Sequence, residues 1–251
     1  QTLYSNTTGQ LNVAIGSQAL YSQNAEAYNT AVGANSMQST TSGGFNAALG
    51  RLSLNANTTG SYNVGVGTGA LGNNTTANNN TAVGYQAGDS NTTGTNSVFI
   101  GYQAGYTANN STGYNQAIGY QAGSTNQGTQ SVSIGFQAGF SNQGQNAVSI
   151  GSYTLGQTSQ QSGAIAIGFQ AGSNSQGINS IAIGSLAGQT NQASNSIVIN
   201  ASGTAINGTT SSSFYASPVN THAASTGLSM LLYDTSTCEV VRSTVATSAQ
   251  N

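Results

Sequence analysis

One nine-residue stretch, Asn80-Thr81-Ala82-Val83-Gly84-Tyr85-Gln86-Ala87-Gly88, returns in altered form along most of the chain. Aligned on its first glycine, the series reads Gly16, Gly33, Gly50, Gly67, Gly84, Gly101, Gly119, Gly135, Gly151, Gly168, Gly184, with Asn200 in the twelfth place. The steps are 17, 17, 17, 17, 17, 18, 16, 16, 17, 16 and 16 residues. A period this short and regular constrains the fold before any single residue does, because each copy can bury itself only against its neighbours.

The residues before each anchor glycine alternate. Ile15, Val32, Leu49, Val66, Val83 and Ile100 stand one place before it, and Val13, Val64, Val98, Val132 and Ile165 three places before. Small residues such as Ala14, Ala31, Ala82 and Ser133 lie between them, with Phe99 and Val198 departing from the rule. Period-two alternation of β-branched residues predicts a strand, and the Gly and Asn content opposes a helix. The small-residue face suits close approach by a neighbouring chain. After the glycine, Tyr85-Gln86-Ala87-Gly88 and its copies read as a second short strand.

The first and fourth positions of that segment exchange with each other. Tyr85, Tyr102, Tyr120, Phe136 and Phe169 go with Gly88, Gly105, Gly123, Gly139 and Gly172. Copies without a ring have Leu20, Met37, Leu54, Leu71 or Leu155 at the fourth place. This predicts that ring and Leu fill the same interior volume, since cores conserve volume while shapes change. Turn formers such as Asn91-Thr92-Thr93-Gly94 complete each period.

Two short strands and two turns per period predict an all-β parallel β-solenoid of about twelve rungs over residues 1–200. Stacking at ~4.8 Å would make a rod of roughly 55 Å. Asn12, Asn29, Asn46, Asn63 and Asn80 should form a ladder between rungs. From Ser97 onward Asn leaves that place and the period shortens, so two kinds of rung are expected.

Asn12-Val13-Ala14-Ile15-Gly16 and Asn179-Ser180-Ile181-Ala182-Ile183-Gly184 resemble the repeat of trimeric autotransporter adhesin heads. The Gly-Tyr-Gln-Ala-Gly version with Asn-Thr-Thr-Gly turns is more similar to repeats of phage and other viral tail fibres. The resemblance implies a left-handed β-roll and a homotrimer. Residues 201–251 differ: they contain the only Pro (Pro218), His (His222) and Cys (Cys238). They read as a cap or attachment module, with a hairpin across residues 234–238. Phe214 to Val219 and this hairpin resemble the segment before the self-cleaving intramolecular chaperone of phage fibres, which would make Asn251 a processed end. The chain begins inside a repeat, so we expect it to be part of a longer protein.

Only 2% of residues are charged, against about 25% in ordinary soluble domains. Arg51 and Arg242 are the only cations, which excludes a basic surface for nucleic acid. No apolar run approaches the ~18 residues of a membrane span. Lys is absent and Glu26, Asp89, Asp234 and Glu239 are scattered, so neither an activated nucleophile nor a carboxylate pair stands out. Gly67-Thr68-Gly69-Ala70-Leu71-Gly72 has dinucleotide-site spacing but belongs to the repeat. We expect no enzyme, cofactor or metal. Candidate glycosylation acceptors include Asn6, Asn57, Asn91 and Asn207. Tyr85, Tyr102 and Tyr120 can stack on sugars, but their exchange with Leu assigns them to the core.

The reading is a structural and adhesive fibre protein, a trimeric shaft or head of a viral tail fibre displayed outside the cell. Expected partners are its own copies, a host-surface glycan or protein receptor, and fibre or baseplate proteins. Alternatives are a bacterial surface adhesin or filament subunit, a polysaccharide-degrading solenoid enzyme and, last, an ice-binding solenoid.

Overall fold

In a computed structural model, residues 1–25, 28–107, 113–154 and 159–219 are described, with the backbone of Leu231–Asp234 and Glu239–Arg242. The chain divides into two compact units, Gln1–Pro218 and Val219–Asn251. The first is a parallel β-solenoid. Its main sheet has 13 strands, from Val13–Ile15 to Phe214–Ser217, each paired in parallel with the next rung. Register never slips: Val64 faces Thr81, Thr81 faces Val98, and Ile165 faces Ile181. Eleven of these strands end on an anchor glycine, and the final strand, Phe214–Ser217, continues the sheet beyond Asn200.

The segment after each glycine is a turn and not a second strand. Gln86 and Gly88 have φ of +51° and +59°, and the same two places are left-handed in the other described copies, as at Leu52 (+59°) and Leu54 (+51°). Two left-handed residues in four curl the chain too tightly for an extended conformation. These turns are still tied rung to rung, with Gln86 N–H donating to Thr68 O at 2.9 Å and Gly88 N–H to Ala104 O at 2.8 Å. Second strands do occur in later rungs, further along: Thr125–Gln127 pairs with Ser141–Gln143, and Asn174–Gln176 with Thr190–Gln192.

The interior lies on the face that alternation alone assigned to a neighbour. Ala31, Ala82, Ala117, Ser133, Ala166 and Ala182 are completely buried, whereas Ile15 is 60% and Leu49 53% exposed. A coil this narrow has no room inside for two rows of branched side chains. Small residues therefore line its bore, and Val and Ile project outward.

The rings and the Leu residues do not share a volume. Leu20, Met37, Leu54 and Leu71 are fully buried, while Tyr85 is 46% and Phe169 49% exposed. Leu54 and its equivalents hold φ near +50°, a strain of order 1 kcal/mol for a branched residue that burial offsets. Glycine relieves that strain, and other side chains occupy the space. A Cβ on Gly88 or Gly105 would strike the ring of Phe99, which is 1% exposed. In later rungs it would strike a buried glutamine: Gln127 at Gly123, Gln176 at Gly172, Gln192 at Gly188. The core thus changes from Leu, through Phe99, to an amide ladder. Gln160 Nε2 donates to Gln176 Oε1 at 2.9 Å and also to Val148 O and Ala164 O.

The asparagine ladder is present, mostly as side chain to backbone. Asn29, Asn46 and Asn63 each accept from the backbone N–H of the next rung's Asn at 2.9–3.0 Å. Their Nδ2 groups donate to turn carbonyls at Gly43, Gly60 and Ala77. In the second unit, Leu231–Asp234 pairs antiparallel with Glu239–Arg242, a hairpin as the pattern predicts.

Candidate functional site: the outer faces of the solenoid

Because the middle residue of each strand points into the bore, its two neighbours form continuous outer rows. One runs through Val64, Thr81, Val98, Gln116, Val132, Val148 and Ile165, the other through Val66, Val83, Ile100, Ile118, Ile134, Ile150 and Ile167. All are half-buried or exposed. Together they make a mainly apolar strip along the sheet, interrupted in the first row by Thr30, Thr81 and Gln116 and with no charged side chain in either row.

Aromatic rows flank this strip. Tyr28, Phe45 and Tyr62, five places before their anchors, stack with centroids 4.9 and 5.0 Å apart. One place after the anchors, Tyr85, Tyr102, Tyr120 and Phe136 stack at 5.1–5.3 Å with planes within 14° of parallel. The stacked rings cover one another's faces and turn their edges to solvent. Beside them runs a row of amides: Gln103 Nε2 donates to Gln86 Oε1, Gln121 to Gln103 and Gln137 to Gln121, all at 2.9–3.0 Å. Period and residue type announce both rows, but their outward direction was masked by the exchange with Leu.

Both rows break at one rung, where Ser152-Tyr153 replaces the ring and the amide. Tyr153 lies 64° from the plane of Phe136 and 88° from that of Phe169. A cavity of 380 Å³ opens there, lined by Gln137, Tyr153, Gln170, Ser173, Asn174, Gln189 and Thr190.

The remaining sequence candidates stay apart. The anchor glycines Gly16 to Gly184 have φ between +107° and +139° and stack on one another at the strand ends. Gly67–Gly72 leads into a turn and no helix. Asn57 and Asn91 are buried, with Nδ2 donating to Gly60 O and Gly94 O, so this packing leaves no room for a glycan on either. Asn6 is half-buried and bonded to Gly9 O, and Asn207 Oδ1 accepts from Thr190 N–H. Asp234 and Glu239 are opposite each other in backbone register at the hairpin end. Glu26, His222, Cys238 and Asn251 lie outside the described residues. Among the described residues no group of three or more His, Cys, Asp or Glu is placed to hold a metal, and no helix is long and apolar enough to cross a membrane.

Asp89 is the one carboxylate of the described solenoid residues. Burial raises its pKa above the ordinary 3.8, and hydrogen bonds from Asn73 and Ser90 oppose the rise. A carboxyl with a raised folded-state pKa contributes fully below its unfolded value, and that contribution is lost as pH rises through the folded value. Asp89→Asn should therefore be slightly more stable than wild type at pH 7, within about 0.5 kcal/mol, and should lose the advantage near pH 3. Urea midpoints at the two pH values check this, and a destabilised variant at pH 7 would refute it.

No family model, no curated protein and no solved structure matches this chain.

Proposed function

We propose that this chain is a structural and adhesive fibre protein, a left-handed solenoid whose three copies pack into the shaft or head of a viral, phage-like tail fibre. It works outside the cell, without enzymatic activity, and residues 201–251 serve as cap or attachment module. The observation that carries this reading is the uncharged, mainly apolar strip along the sheet, in which Thr30, Thr81 and Gln116 are the polar interruptions. Exposed apolar patches of several hundred Å² mark interaction surfaces. Thirteen strands at ~4.8 Å make the strip about 60 Å long, and two outward side chains per strand make it about 12 Å wide. That gives roughly 700 Å² per copy, close to the ~800 Å² per partner of a standard interface. A strip that repeats rung by rung is matched along its length by another with the same repeat, which favours copies of the same chain. A trimer would also present each weak contact three times, raising avidity.

The test is the mass of the assembly in solution, before and after heating. Three chains of 25.0 kDa should give about 75 kDa. The double variant Ile134→Lys with Ile150→Lys places two charges on the strip and none in the bore, so it should give a folded 25.0 kDa monomer. A wild-type monomer would overturn the assembly, and a trimer unaffected by the two lysines would move the interface elsewhere.

A further inference from the structure

The break at Ser152-Tyr153 changes what the outer rows can bind. In the intact rows the inner rings Phe45, Tyr102 and Tyr120 are sandwiched by their neighbours, and each glutamine amide is engaged with an adjoining rung. Nothing is available there except ring edges. At the break no ring stacks in parallel on Tyr153, which is 40% exposed and lines the cavity. The amide row is cut as well. Gln137 donates to Gln121, and Gln170 Oε1 accepts from Gln189 Nε2 at 3.0 Å. The row therefore ends on the Gln137 carbonyl oxygen and starts again from the Gln170 NH2, with the phenol between them. Ser173 and Asn174 add a hydroxyl and an amide.

Every described lining residue is uncharged, so none of them is a carboxylate or cation that would pair with an ionic ligand. Amides that donate and accept side by side match the vicinal hydroxyls of a sugar, and an aromatic face matches its C–H surface. The volume of 380 Å³ is at the low end of the ~300–1,000 Å³ of small-molecule sites, enough for one or two sugar rings. None of the Val and Ile residues of the apolar strip lines the cavity, so packing of copies on that strip leaves it open. We propose that this cavity is a binding site for an uncharged mono- or disaccharide unit, stacked on Tyr153 and hydrogen-bonded by Gln137 and Gln170. The proposal rests on the adhesive part of the reading above and not on the trimer.

Saturation-transfer NMR on the full chain, with lactose, maltose, cellobiose and N,N′-diacetylchitobiose as neutral probes, tests it. At least one should bind with a Kd of about 1 mM or tighter. Tyr153→Ala should weaken that probe about tenfold, while Tyr153→Phe keeps the ring and stays within about threefold. Gln170→Glu keeps the oxygen that accepts from Gln189, removes the NH2 and puts a charge in the cavity. It should also lose about tenfold, and it stands in if Tyr153→Ala fails to fold. Tyr102→Ala, in the stacked part of the row, should leave affinity unchanged. Absence of binding by all four probes at about 10 mM overturns the proposal, as does a folded Tyr153→Ala or Gln170→Glu that binds like wild type. A trimer that binds no sugar sinks this site alone, and a monomer that binds one sinks the trimer alone.

Discussion

A single methyl group on Gly101 should cost roughly 3–6 kcal/mol and open the rungs around it. Gly101 ends strand Val98–Ile100 at φ +131°, outside what L-residues adopt comfortably. The added Cβ would also meet the backbone carbonyl carbon of Gly119 at 2.7 Å and lie closer still to its oxygen. Neither atom is the end of a flexible side chain. Each belongs to the next rung, held by Gly119 N–H donating to Ile100 O at 2.7 Å. Relief would require the two rungs to part, which breaks the hydrogen bonds that define the solenoid. Gly203 is the matched control, because its φ is +78° and nothing lies within 4 Å of its Cβ position. Gly203→Ala should cost only about 1–2 kcal/mol, the intrinsic left-handed penalty. Equal losses for the two variants, read from urea midpoints, would show that stacking of the anchor glycines is not what limits these positions. Hydrogen exchange adds a local readout: stability in a repeat array is set by neighbours, so loss of protection should centre on the rungs of Gly84, Gly101 and Gly119.

Those glycines were legible in the sequence, and so were the parallel rungs, since a fixed period leaves the chain little choice but to stack copy on copy. The direction of the side chains was not. Alternation in Thr81-Ala82-Val83 shows that two faces differ but does not say which is inside. The usual preference for burying Val over Ala misleads here. Fully burying a Val gains more free energy than burying an Ala, but only where the bore has room, and bore width follows from the curl of the turns. That curl depends on left-handed residues such as Gln86 and Leu54, whose types carry no clear sign of positive φ. The same curl hid the role of the exchange between rings and Leu. Gly88 is glycine because it leaves space for Phe99, a residue on the strand of the next rung, while Tyr85 points outward. The buried glutamines escaped notice for a plainer reason. Gln127, Gln143, Gln160, Gln176 and Gln192 occur in polar, Asn- and Gln-rich stretches that read as turns, where composition suggests solvent. The cavity at Tyr153 was written in the sequence only as a copy in which ring and amide are replaced together.

That glutamine ladder carries the second large effect: Gln160→Glu should cost about 3–5 kcal/mol at neutral pH, the toll of an uncompensated buried charge. Gln160 is 1% exposed. Its Nε2 donates to Val148 O at 3.0 Å, Ala164 O at 3.1 Å and Gln176 Oε1 at 2.9 Å. Its Oε1 accepts from Ser149 Oγ at 2.9 Å. A carboxylate keeps the last bond and turns its second oxygen on three acceptors. Within the first unit the one arginine, Arg51, belongs to a rung far along the solenoid, and the chain has no lysine. The cost must therefore depend on pH. Desolvation raises the folded-state pKa of the new carboxyl above its unfolded value of about 4.3, so the folded state holds the proton more tightly. Stability relative to wild type is then greatest below about pH 4 and is lost as pH rises through the folded value. Protonated, the group can donate to one of the three acceptors, leaving a deficit of about 1–2 kcal/mol. Gln160→Leu, which removes the same donors without adding charge, should be destabilised by about 2–3 kcal/mol at every pH. Urea midpoints at pH 3.5 and 7.5, each referred to wild type at the same pH, separate the cases. If the Gln160→Glu deficit does not shrink on acidification, water reaches the ladder and the bore is not sealed. If it shrinks while the Gln160→Leu deficit stays fixed, the later rungs are held by a dry column of amides that bond backbone carbonyls and, from Gln160 through Gln176 to Gln192, one another.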